Sequence, residues 1–127
     1  MSLEISLIIG FILHFVGDYL FQNDWLANEK TKAFFPAFFH AAIYSLPFLF
    51  LTPSVFWWIL AVSHFFIDRY RLAVYWIKLV NWNWNSKNFG YDDQKPLFLS
   101  IWLMIIIDNV FHVLFNSLSI FLHFHFR

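Results

Sequence analysis

The stretch SHFFIDRYR, residues Ser63 to Arg71, closes a run that is mostly apolar from Pro53 onward. An apolar segment that ends abruptly on Asp68, Arg69, Tyr70 and Arg71 reads as a membrane helix meeting the headgroup boundary. Inside it His64 and Asp68 stand four residues apart, so both side chains lie on one helical face. The chain around this stretch is of the same kind: 127 residues, 61% hydrophobic, 24% aromatic and 13% charged. Water-soluble domains carry about a quarter charged residues, so the composition points to lipid as the solvent. The net charge of zero and the lack of a basic tail give no sign of a nucleic-acid partner, and without cysteine there is neither a disulfide framework nor thiolate chemistry.

Reading outward for apolar runs of spanning length gives four segments, residues 5–21, 34–51, 53–68 and 97–122. The sequence therefore predicts a single transmembrane domain over residues 1–127: an all-α, integral membrane four-helix bundle. The opening MSLEIS has no basic flank, so the first run is expected to be a retained helix rather than a signal peptide. Thr52-Pro53 reads as a cap followed by proline at the first helical position, making segments two and three a tight hairpin, and Pro47 is expected to kink segment two. Between segments three and four, residues 69–96 contain an amphipathic stretch in which Arg71 and Lys78 oppose Leu72, Trp76 and Leu79. This reads as an interfacial helix or a continuation of helix three. Lys30, Lys32, Arg69, Arg71, Lys78, Lys87 and Lys95 fall on one side and only Arg127 on the other. The bias places both loops in the cytoplasm and both termini outside, as in a multi-pass membrane protein.

The apolar segments contain His14 and Asp18, His40, His64 and Asp68, and Asp108 and His112. An intramembrane aspartate costs about 2.5–3.5 kcal/mol on insertion scales, which makes three of them a functional signal. All three pairs have i, i+4 spacing. Helices one and three run inward and read His then Asp, whereas helix four runs outward and reads Asp then His, so each aspartate lies nearer the cytoplasm. Gln22 and Asn116 extend the stripes of helices one and four by one turn. Imidazole and carboxylate are ligands for zinc, manganese and iron, and facing helices of a bundle assemble such sites. Three carboxylates in a low dielectric call for one or two divalent ions, for protons, or for nearby arginines. Other readings stand beside this one. His40 can serve as a hydrogen-bonding core residue, Asp68 can pair with Arg69 or Arg71, and the three pairs can act as interhelical hydrogen bonds. Asp24, Glu29, Lys30 and Lys32 read as a solvated loop, and His123 and His125 as outer-interface residues.

The segments HFVGDYLFQNDWLANEKTK, HAAIYSLPF, HFFIDRYRLA and DNVFH resemble the motifs of a family of small bacterial and phage membrane proteins, a domain of unknown function. The resemblance covers nearly the whole chain. The family's H-x-x-x-D-x-x-x-Q-x-D-W motif is matched by His14, Asp18, Gln22, Asp24 and Trp25, and its later motifs by His40, His64, Asp68, Asp108, Asn109 and His112. Many relatives have glutamine where Asn109 stands. The resemblance implies roles for Gln22 and Asp24 at the site. In outline the arrangement is also similar to membrane-bound metal-dependent hydrolases, an analogy of architecture alone.

These readings combine into one expectation, a divalent-metal site near the cytoplasmic face that hydrolyses a substrate. The metal ligands are expected among His14, Asp18, His40, His64, Asp68, Asp108 and His112, with Asp18, Asp68 and Asp108 as catalytic carboxylates. Gln22, Asp24, Asn109 and Asn116 are expected to support them. Lys30, Lys32, Arg69 and Arg71 ring the opening and suit a phosphorylated or lipid-phosphate substrate. Two alternatives are an ion or proton pathway in an oligomeric transporter and a structural or interaction protein.

Overall fold

A computed structural model describes residues 1–127, whose regular elements are all helices, with one isolated bridge between Asn88 and Tyr91. Helix α1 (Leu3–Phe15) starts at Ser2, whose hydroxyl accepts from Ile5 N, and runs on through a π-helical turn, Val16–Leu20, closed by a Phe21 N to Val16 O bond. A short α2 (Asp24–Glu29) follows, capped by the Asn23 side chain on Leu26 N. Helix α3 (Phe34–Ser45) tightens into a 3₁₀ segment, Leu46–Phe50, with Pro47 in its first turn. Helices α4 (Trp57–Tyr70), α5 (Leu72–Val80) and the 30-residue α6 (Leu97–Phe126) complete the chain.

Two boundaries differ from the sequence reading. Thr52 does not cap the following helix: its hydroxyl donates back to Phe48 O, finishing the 3₁₀ segment, and α4 begins only at Trp57. The amphipathic stretch does not continue α4, because Arg71 adopts φ 49°, ψ 55° and turns the chain into a separate α5. That left-handed geometry breaks the helical register. Helix α5 buries Ala73 and Ile77 and leaves Leu72, Trp76 and Leu79 partly exposed.

Helix α6 packs on both α1 and α4, and α3 packs on α4, which brings one face of each to a common centre. Two helices are long and apolar enough to cross a membrane, Leu3–Leu20 and Leu97–Phe126, and Phe34–Phe50 is a shorter apolar helix. The interior has two layers. Tyr44, Phe48, Leu51, Leu60 and Ile120 form an apolar cluster, against which Leu7, Leu13 and Trp57 pack. The other layer is ionisable. Buried polar and charged residues outnumber buried apolar ones, while large apolar side chains such as Phe35, Phe50, Trp102 and Leu114 face outward.

Candidate metal centre

Each of the four longest helices contributes one buried histidine to the ionisable layer: His14 from α1, His40 from α3, His64 from α4 and His112 from α6. Asp18 enters from the π-helical turn, Asp68 from the last turn of α4 and Asp108 from α6. The three i, i+4 pairs survive folding, with N–O distances of 3.4 Å for His14–Asp18, 3.1 Å for His64–Asp68 and 3.4 Å for Asp108–His112.

Four of these residues converge. One atom each from Asp18, His40, His64 and Asp68 lie within 4.8 Å of one another. The His40 and His64 Nε2 atoms are 2.9 Å apart, Asp18 Oδ1 lies 3.0 and 3.5 Å from them, and Asp68 Oδ2 lies 3.3 and 3.1 Å from them. Ligands bound tetrahedrally at about 2.0–2.1 Å are separated by about 3.3 Å, which is the scale of these edges. A second group, Asp68, Asp108 and His112, shares one member with the first. Asp68 turns Oδ2 toward the first group and Oδ1 toward His112 Nε2 at 3.1 Å, the disposition of a carboxylate that bridges two sites. Buried Asp and His side chains thus could hold a metal ion in either group. The outer Nδ1 atoms of His64 and His112 lack hydrogen-bond partners, a departure from the usual metal-bound imidazole, whose second nitrogen is anchored.

Lys30 also lies here, where the sequence suggested a solvated loop. Its side chain is only 13% exposed, with Nζ 2.8 Å from Asp68 Oδ2 and 3.4 Å from His40 Nε2. Burial works to lower the lysine pKa, but the Asp68 and Asp18 carboxylates outweigh it and hold the ammonium above its ordinary value. Asp68 pairs with this lysine rather than with Arg69 or Arg71, and Arg69 instead donates to Thr31 O. Three carboxylates and one ammonium, with neutral imidazoles, leave a charge of about minus two, which one divalent cation would cancel.

The structure sets His14 apart from the other expected ligands. Its Nε2 faces Asn109 Oδ1 at 2.8 Å, and its Nδ1 lies 2.9 Å from the Tyr44 hydroxyl. Since an amide oxygen only accepts, the proton belongs on Nε2 and Tyr44 donates to Nδ1. The same Tyr44 oxygen accepts from Asn116 Nδ2 at 2.6 Å, so Asn109 and Asn116 support His14 and Tyr44. Tyr44 also stacks its ring on His64 at 3.6 Å between centroids. Residue 44 escaped the sequence reading although it follows His40 by four, the spacing of the other three pairs. A Cβ at Gly17 would come within 2.6 Å of the Tyr44 ring. Gly17→Ala should therefore push that ring off His64 and cost about 1–3 kcal/mol, measurable by thermal unfolding in detergent.

A cleft of about 320 Å³ reaches the layer from the side of α2, lined by Asp18, Gln22, Lys30, Asp68, Arg71 and Asp108 among others. Gln22 presents a buried, unpartnered Oε1 there. Asp108, 27% exposed, is the most open of the three carboxylates. Asp24 and Lys32 are not drawn in: Asp24 is exposed at the start of α2, and Lys32 pairs with Glu29 at the surface.

Residues 6–126 match the model of a family described as "Protein of unknown function (DUF3307)". No curated protein and no solved structure matches the chain.

Proposed function

The chain belongs to this family of unknown function, and from its own residues we propose that it is a four-span membrane protein holding one or two divalent metals near the cytoplasmic face, where it hydrolyses a phosphorylated or lipid-phosphate substrate. The observation that carries the reading is the convergence of Asp18, His40, His64 and Asp68, with Asp68 extending to Asp108 and His112. Metal held there would lower the pKa of bound water and polarise a phosphoryl oxygen. Where the second group holds no metal, Asp108, open to the cleft, would accept a proton from attacking water. Gln22 offers its free Oε1 to the substrate or to that water.

Outward-facing aromatic side chains on α1, α3 and α6 support lipid on every side of the bundle, and the basic residues flanking the cleft support its cytoplasmic placement. The apolar cluster of Tyr44, Phe48, Leu51, Leu60 and Ile120 contains no ionisable relay beyond the hydroxyl that Tyr44 points into the site. This favours a one-sided centre over an ion pathway. A second reading rests on Lys30: its ammonium 2.8 Å from Asp68 would make the layer an ion-pair network with a structural role.

The test is elemental analysis of protein purified without chelators and then exposed to zinc, manganese or iron. One or two equivalents are expected, and His64→Ala should lose the ion shared with Asp18 and His40. Should no metal bind, the hydrolase reading falls. Metal-loaded protein should also release phosphate from phosphatidic acid, and Asp108→Asn should slow that release by about a hundredfold or more.

A further inference from the structure

A second cleft of about 400 Å³ adjoins the first, and Thr31 and Arg71 line both. Its walls come from the end of α4, from α5 and from the loop 81–96, and they bring together Arg69, Arg71, Lys78 and Lys87. No aspartate or glutamate lines it. The lysine and arginine ion pairs of the protein are Lys30–Asp68 and Lys32–Glu29, so all four cations of this cleft lack a carboxylate partner within 4.0 Å. The acidic residues of the loop are used on its own backbone: Asp93 Oδ1 accepts from Lys87 N and Asp92 Oδ1 from Gln94 N.

The loop that closes the cleft is tied down. Asn88 is buried and donates to Asp92 O and Lys95 O, and the Ser86 hydroxyl donates to Tyr91 O while accepting from Asn88 N and Gly90 N. Gly90, at φ 96°, sits so close to α5 that a Cβ would lie 2.7 Å from Lys78 N. Lys87 is therefore carried by a fixed turn pressed against the helix that carries Lys78. Arg71 holds a left-handed backbone at the junction of α4 and α5, with its guanidinium 6.0 Å from the Phe89 ring centroid. Holding four like charges together without a counter-charge is unfavourable, and an anion bearing more than one charge would relieve it. Arginine forks and lysine ammoniums are the donors that phosphate oxygens take.

We infer that the cleft of Arg69, Arg71, Lys78 and Lys87 binds a phosphate group, as a free phosphate or diphosphate or as a lipid headgroup. Through Arg71 a ligand with two phosphates reaches from this cleft to the carboxylate-lined one. That bridging arrangement rests on the hydrolase reading, whereas anion binding in the basic cleft does not.

The experiment is calorimetric titration of chelator-treated full-length protein in detergent, with inorganic diphosphate in one arm and short-chain phosphatidic acid in the other. At least one should bind, more weakly as salt rises, and Lys78→Gln/Lys87→Gln should weaken it by roughly tenfold or more. Binding of diphosphate alone identifies a soluble phosphate as the ligand, and binding of phosphatidic acid alone a lipid headgroup. A variant losing two cations elsewhere, Lys95→Gln/Arg127→Gln, should stay within about twofold of the unmodified protein. The inference is overturned if neither anion binds, if the cleft variant binds as well as the unmodified protein, or if both double variants lose affinity equally. Protein that binds anion but no metal retires the hydrolase reading alone, and protein that binds metal but neither anion retires this inference alone.

Discussion

Asp68→Asn is expected to abolish metal binding and to lower stability by about 3–5 kcal/mol, the cost of breaking a buried charge pair. Both oxygens of Asp68 are engaged, one beside Lys30, His40 and His64 and the other beside His112. Asparagine keeps the volume but removes the charge and turns one acceptor into a donor, which would point at an imidazole or an ammonium. The loss should therefore extend to both groups of candidate ligands, unlike the loss in His112→Ala, which leaves Asp18, His40, His64 and Asp68 in place. Elemental analysis and thermal unfolding of the same preparation measure the two effects. Full metal occupancy in Asp68→Asn would remove this residue from the ligand set.

Lys30→Met separates the metal reading from the ion-pair reading. Without metal the variant leaves Asp18 and Asp68 close together with no ammonium between them, and a loss of about 3 kcal/mol or more is expected. In the metal reading, zinc or manganese replaces the missing charge, so the variant regains most of its stability when metal is added and binds the ion at least as tightly as the unmodified protein. A network whose only cation is Lys30 predicts a loss that none of the three metals repairs. Unfolding midpoints with and without each metal distinguish the two outcomes.

The pairing of His14 with Asp18, His64 with Asp68 and Asp108 with His112 was legible because the α-helical repeat places i and i+4 on one face. That the three pairs meet was legible in part from their reversed order on α6. Other features follow from packing rather than from local pattern. The π-helical turn at Val16–Leu20 re-aims Asp18, and such a turn has no reliable mark in sequence. Lys30 looked like one more loop cation, and only the capped turn of α2 folds it beneath the bundle onto Asp68. The Asn23 side chain caps that helix on Leu26 N, in a stretch that reads from its charges as a solvated loop. Tyr44 was overlooked because a tyrosine among aromatics reads as core, although its spacing from His40 repeats that of the other pairs. Arg71 had no signal at all: a left-handed arginine ends α4 where periodicity alone would carry the helix onward.

The packing of α6 against α1 has a consequence for the order of biosynthesis. The first and last helices of the chain are neighbours in the finished bundle, and the centre takes residues from both. A ribosome adding about 5–20 residues per second delivers His112 roughly 2–9 seconds after Asp68. During that interval Asp18, His40, His64 and Asp68 are already made, with Lys30 as the only buried ammonium in their company. The lysine offsets the two carboxylates through that interval and stays on Asp68 after the last helix has brought in Asp108 and His112.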